Sequence, residues 1–206
     1  GYIVQDLNHS LPWLIARGLI LSTFLFVAGF SMALAQHQSV KKRWLRLIRI
    51  AGCALLVSIG SSFMFPNSWI YFGVLHFMLL ASMVCWFLIG HEKWILPLGL
   101  ATLGFGFFYQ SATFNQPMLQ WLGMMTFKPI TEDYVPILPW IGVMLSGLYV
   151  GLLLLRRPHS QLLATKPPAT LKPIGWLGRH SLAIYMLHQR ILLGFLLVIS
   201  TFASRF

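Results

Sequence analysis

The sequence predicts an all-α fold: a polytopic transmembrane helical bundle with six spans, forming a single transmembrane domain over residues 1–206. Three observations carry this. The chain is 57% apolar and only 9% charged, whereas soluble domains carry about 25% charged residues. Its apolar residues fall into runs close to the roughly 20 residues that a spanning helix needs. Its basic residues collect between alternate runs, as the positive-inside rule requires.

The six runs are Pro12 to Ala35, Leu47 to Phe65, Ile70 to Ile89, Trp94 to Tyr109, Ile137 to Leu155 and Ile174 to Phe202. The fourth is short and holds Pro97. The last is long enough to tilt or to extend beyond the hydrocarbon. Between the first and second runs lie Lys41, Lys42, Arg43, Arg46 and Arg49, and between the third and fourth lies Lys93. Arg156, Arg157, Lys166, Lys172 and Arg179 lie between the fifth and sixth. These are 11 of the 15 basic side chains, and they assign those three connections to the cytoplasm. Gly1 and Phe206 then both face outside, with Asp6, Glu132 and Asp133 on the same side. An N-terminus outside, with no signal peptide, implies a further helix upstream, so the expectation is an N-terminally truncated domain of at least seven spans.

The net charge of +11 does not point to nucleic acid, because the basic residues sit between apolar runs rather than along one face. Cys53 and Cys85 both lie in apolar runs and read as small buried side chains. There is no P-loop, no GxSxG elbow, no HExxH and no ligand spacing among the histidines, so no metal is expected. No Asp or Glu lies securely within a span, which weighs against a proton-driven carrier. Gly147-x-x-x-Gly151 suits close helix packing in the fifth run. The segment from Arg157 to Lys172, with Pro158, Pro167 and Pro168, reads as a solvated linker.

Polar groups inside the apolar runs are the candidate chemistry. His188, Gln189 and Arg190 interrupt the last run, and His76 interrupts the third. At a helical rise of 1.5 Å per residue, His188 lies roughly 15 Å in from the inner edge and His76 roughly 10 Å in from the outer edge. The two can reach a common central depth. Interhelical hydrogen bonding is the bland reading for each alone; together they favour a polar site inside the bundle. Asp133 reads either as a group that orients a histidine or binds a ligand, or as a solvated residue at a helix start.

Three segments carry a family resemblance: Tyr71-Phe-Gly-Val-Leu-His76, Asp133-Tyr-Val-Pro-Ile-Leu-Pro-Trp140-Ile-Gly142 and Leu177-Gly-Arg-His-Ser-Leu-Ala-Ile-Tyr-Met-Leu-His-Gln189. With Phe24-Leu-Phe-Val-Ala-Gly29-Phe-Ser31 in the first run, they resemble the bacterial DUF1624 family, which is similar to the catalytic domain of heparan-alpha-glucosaminide N-acetyltransferase. The chain departs from that family in lacking its first helix and in carrying Arg190 where the family often has proline.

The resemblance implies an integral membrane acetyltransferase of the bacterial inner membrane. It would move an acetyl group from cytoplasmic acetyl-CoA to a carbohydrate-type acceptor at the outer face, by O- or N-acylation. His188 and His76 are then the catalytic candidates at the centre. His9 is a third, by its similar placement 20 residues before Gly29. Acyl transfer needs a base for the acceptor's proton, and imidazole suits that task. It also needs donors for the oxyanion, which Gln189 and Arg190 can supply. Asp133 is the orienting or acceptor-binding candidate. Arg179 and His180 are the candidates for the phosphates of acetyl-CoA. The lipid bilayer is the surrounding partner, no nucleic acid is expected, and a homo-oligomer is compatible with this reading. The rival is a carrier or flippase for a small anionic or lipid-linked solute that uses the same polar centre without chemistry.

Overall fold

A computed structural model of the chain describes residues 10–156, 170 and 172–187. Backbone contacts divide the chain into two compact units, residues 1–160 and 161–206. The described residues are all helix, turn and loop, with no strand among them.

Among the described residues the first unit holds five α-helices: α1 Leu11–Leu34, α2 Val40–Met64, α3 Val74–Leu88, α4 Glu92–Phe108 and α5 Trp140–Leu155. By length and composition α1 and α2 can each cross a membrane, and α3 and α5 are shorter apolar helices. The side chains facing outward are themselves apolar: Phe63 is 82% exposed and Phe87 76%. Such a surface is unfavourable in water over so wide an area and suits hydrocarbon.

The core is built where α5 meets α1 and α4, the two most extensive helix contacts. Leu25, Met32, Met144 and Leu148 are all at most 2% exposed there, and Phe77 of α3 is fully buried in the same core cluster. The approach is close because the interface residues are small. A Cβ on Gly147 would meet the Phe26 carbonyl, and one on Gly151 would lie 2.6 Å from the Ala33 Cβ. The Gly147-x-x-x-Gly151 pattern therefore does what its spacing predicts, seating α1 backbone against α5.

Helix boundaries depart from the apolar runs in three informative places. α2 begins at Val40, so Lys41, Lys42, Arg43, Arg46 and Arg49 ride on its first turns rather than in a loop. Lys and Arg are good helix formers, and their long stems let the charged ends leave the apolar zone. α3 begins only at Val74, after the N-cap Gly73. His76 is thus in the first turn, not several turns deep. Pro97 lies inside α4 without ending it.

In the second unit, α6 spans Lys172–Arg179, followed by a turn at His180 and a helical stretch over residues 181–187. The expected continuous helix from Ile174 is therefore broken at His180. Gly175 and Gly178 lower helix propensity just before the break. α6 is amphipathic rather than uniformly apolar. The remainder of that expected span and almost all of the proline-bearing linker lie outside the described residues.

Candidate functional site

The end of the first unit that carries residues 109–139 holds a connected polar network. It starts on α2, where Ser58 and Ser61 are three residues apart and share a helix face. Ser61 Oγ accepts from the Ile70 amide at 2.9 Å, and Ser58 Oγ donates to the Ile70 carbonyl at 2.7 Å. Ile70 is 6% exposed, so the two serines satisfy both backbone groups of a buried, non-helical residue, which would otherwise be costly.

The same Ser58 hydroxyl lies 3.1 Å from His76 Nε2. Its single proton is committed to Ile70, so here it accepts, and Nε2 carries the imidazole proton. His76 Nδ1 then holds the lone pair and accepts from the Gly73 amide at 3.3 Å. Beside it, Asp133 Oδ2 accepts from the Val74 amide at 2.8 Å. An imidazole and a carboxylate thus satisfy the amides of the N-cap Gly73 and of Val74, the first residue of α3, which have no partner within the helix. A carboxylate at that end is also favoured by the helix dipole. Gly73 is required by space: a Cβ there would run into the Asp133 carboxyl group and lie 2.9 Å from Ile70 Cγ2.

Around this node the long loop is tied down by further long-range bonds. Ser68 Oγ donates to Glu132 Oε1 at 2.7 Å, and Thr131 Oγ1 to the Trp69 carbonyl at 2.9 Å. Tyr71 donates to Gln120 Oε1 at 2.6 Å, Gln120 Nε2 donates to the Asn115 carbonyl at 2.9 Å, and Tyr134 donates to the Gln120 carbonyl at 2.6 Å. Burial, and secondarily the neighbouring Tyr71, pushes the Tyr134 hydroxyl above the usual phenol range. Outside the node, between the 66–71 turn and the long loop, lies a recess of about 540 Å³.

The opposite end of the unit has a different character. The Arg43 guanidinium sits 5.5 Å from the centre of the Trp86 ring and donates from Nε to the Gln38 carbonyl at 3.0 Å, with a second bond to the Gln36 carbonyl. Glu92 and Arg156 form an ion pair between the start of α4 and the end of α5. A recess of about 200 Å³ lies among Arg43, Trp44, Leu47, Met83 and Trp86.

Of the sequence-derived candidates, the structure brings His76 and Asp133 to one helix end. His180 is exposed in the second unit, its Nδ1 3.0 Å from the Trp176 carbonyl and its ring 4.5 Å from the Trp176 ring. The contact with a carbonyl makes Nδ1 the protonated nitrogen. Arg179 closes α6, and its side chain lies outside the description. His9, His188, Gln189 and Arg190 lie outside the described residues. Sequence reasoning missed Ser58, Tyr71, Gln120 and Tyr134. The serine pair spaced by three in the apolar second half of α2 was an available signal.

No curated protein and no solved structure matches the chain. The family model for the catalytic region of heparan-alpha-glucosaminide N-acetyltransferase matches residues 1–190, and the chain belongs to that family of acetyltransferases.

Proposed function

We propose that this protein is an integral membrane acetyltransferase that takes an acetyl group from acetyl-CoA and delivers it to a hydroxyl or amino group of a carbohydrate-type acceptor. The family match over residues 1–190 carries this reading. In it, the first five apolar runs and the part of the sixth that follows the break at His180 are spans in a bacterial inner membrane. The basic connections face the cytoplasm, and the end bearing residues 109–139 faces out.

The basic end has chemistry that fits the donor. Lys41, Lys42 and Arg49 are exposed on α2, and the recess beside them offers Trp44 and Trp86 faces with the Arg43 guanidinium. Cations suit the phosphates and indole faces suit the adenine. Arg179 and His180 are further candidates for the phosphates. The donor supplies an acetyl group activated as a thioester.

The acceptor's nitrogen or oxygen attacks the acetyl carbonyl, its proton passing to an imidazole, for which His188 is our first assignment. The carbon–sulfur bond breaks, and the same imidazole returns the proton to the departing sulfur. Gln189 and Arg190 are assigned to the developing oxyanion. Both ring nitrogens of His76 are engaged, so its contribution is to hold the start of α3, where Asp133 is bonded through the Val74 amide. Asp133 orients the acceptor, and His9 remains a candidate base towards the outer mouth.

The test is an assay with radiolabelled acetyl-CoA and a panel of amino and neutral sugars, reading CoA release and label on the sugar. Transfer is expected in the wild type, with a loss of about 100-fold or more in His188→Ala, the range for removing a general base. Wild-type rates in that variant would move the base elsewhere. Absence of transfer, together with solute flux into proteoliposomes, would establish the carrier reading instead.

A further inference from the structure

We infer that the recess between the 66–71 turn and the long loop is a saccharide-binding shelf, which seats a neutral pyranose ring against Trp69. This deepens the acyltransferase reading and rests on it for the role of the bound sugar. A pyranose presents a face of C–H groups ringed by hydroxyls. Its binding site therefore needs a rigid, exposed aromatic face and planar hydrogen-bonding groups at the edge.

The recess supplies both. Trp69 is 44% exposed and is braced edge-on by Tyr71, with ring centres 6.1 Å apart. Phe127, 53% exposed, lines the recess as well. The Gln120 amide is held by the Tyr71 hydroxyl on Oε1 and by the Asn115 carbonyl beneath Nε2. That fixes its orientation and leaves one N–H and one lone pair to offer a ligand. Asn67 adds an exposed amide at the rim.

Among the described residues no charged side chain lines the recess, which favours a neutral ring over an anion. Its volume of about 540 Å³ falls within the usual range for small-molecule sites. A lipid chain is the other conceivable occupant, but it would strip water from the two amides and leave them unpaired. The shelf also adjoins the helix end that His76 and Asp133 cap. Trp69 is tied through its carbonyl to Thr131, two residues before Asp133, and Tyr71 stands two residues before Gly73. A sugar on Trp69 is thereby placed beside the Asp133–His76 helix end.

The experiment uses the protein in lipid nanodiscs, free of glycoside detergents, with methyl β-D-glucopyranoside as the probe and saturation-transfer NMR as the readout. Saturation is expected mainly at the C–H protons of one ring face. Trp69→Ala should weaken it about tenfold, at the upper end of what an aromatic face contributes, and Trp69→Phe should restore most of it. Both variants change an exposed residue, and an unchanged melting temperature checks the fold. Wild-type saturation in Trp69→Ala and Phe127→Ala, or displacement of the sugar by octanoate, would overturn the assignment. In the acetyl-transfer assay, Trp69→Ala should raise the acceptor KM with little change in kcat. Transfer with an unchanged acceptor KM would remove the shelf and leave the enzyme reading intact. Sugar binding without transfer to any acceptor would do the reverse.

Discussion

The two ends of the helical unit solve the same problem, holding helix termini together, by opposite means. At the basic end the connections from α1 to α2 and from α3 to α4 are short. Their contacts are a guanidinium over an indole, two carbonyls accepting from Arg43, and the Glu92–Arg156 pair. At the other end some thirty residues of loop are fastened to the start of α3 and the end of α2 by bonds between residues far apart in sequence, such as Val74 to Asp133 and Tyr71 to Gln120. Exposed charges hold their geometry loosely, because water competes and the side chains are long. A satisfied, half-buried network of neutral and capping groups fixes positions closely. The end suited to discriminating a ligand by shape is therefore the one with few charges, and the end suited to attracting phosphates is the one with many.

The sharpest way to break this contrast is at Gly73. Gly73→Val would push a branched side chain into the Asp133 carboxyl group and Ile70. Overpacking and loss of the cap together should cost about 2–4 kcal/mol. Thermal unfolding followed by circular dichroism reads the loss, and a melting temperature equal to wild type would mean that the node does not hold this end.

Tyr134 sharpens the contrast through pH. Its hydroxyl is held above the usual phenol value by burial and by Tyr71. A group with a raised folded pKa stabilises fully below its unfolded pKa, about 10 for tyrosine, and loses that contribution as pH rises beyond it. Melting temperature should therefore fall above about pH 10 more steeply in wild type than in Tyr134→Phe. Parallel profiles for the two proteins would show that Tyr134 is not a buried donor to Gln120.

The smallest effect belongs to the basic end. The Arg156 side chain is 65% exposed in its pair with Glu92, so Glu92→Gln should cost at most about 1 kcal/mol and less at high salt. A loss matching that of Gly73→Val would erase the distinction between the ends.

Four of the helices were legible to within a few residues at most boundaries, because an apolar run of spanning length has few other folded solutions. The exceptions have local causes. Helix propensity carried α2 back through its lysines and arginines, a glycine cap delayed α3, and two glycines preceded the break at His180. Within the site, His76 was visible because an imidazole in an apolar run is conspicuous, and Asp133 because acidic residues are scarce. Their meeting was not visible, since it depends on how residues 109–139 fold back on α3. Ser58 went unseen for a different reason: a hydroxyl hardly alters hydropathy, and only its partners reveal it. Gln120 lies in a segment without periodicity, where sequence offers no register, and its bond to Tyr71 could not be read from either residue alone.

Where Gly147 rests against the Phe26 backbone, no side-chain rotamers are available to absorb a shift. Sliding α5 along α1 by one residue would drive a methyl group or something larger into a neighbouring carbonyl. The pair therefore acts as a single strut against which the remaining helices pack, α2 and α3 with their serine–imidazole latch among them.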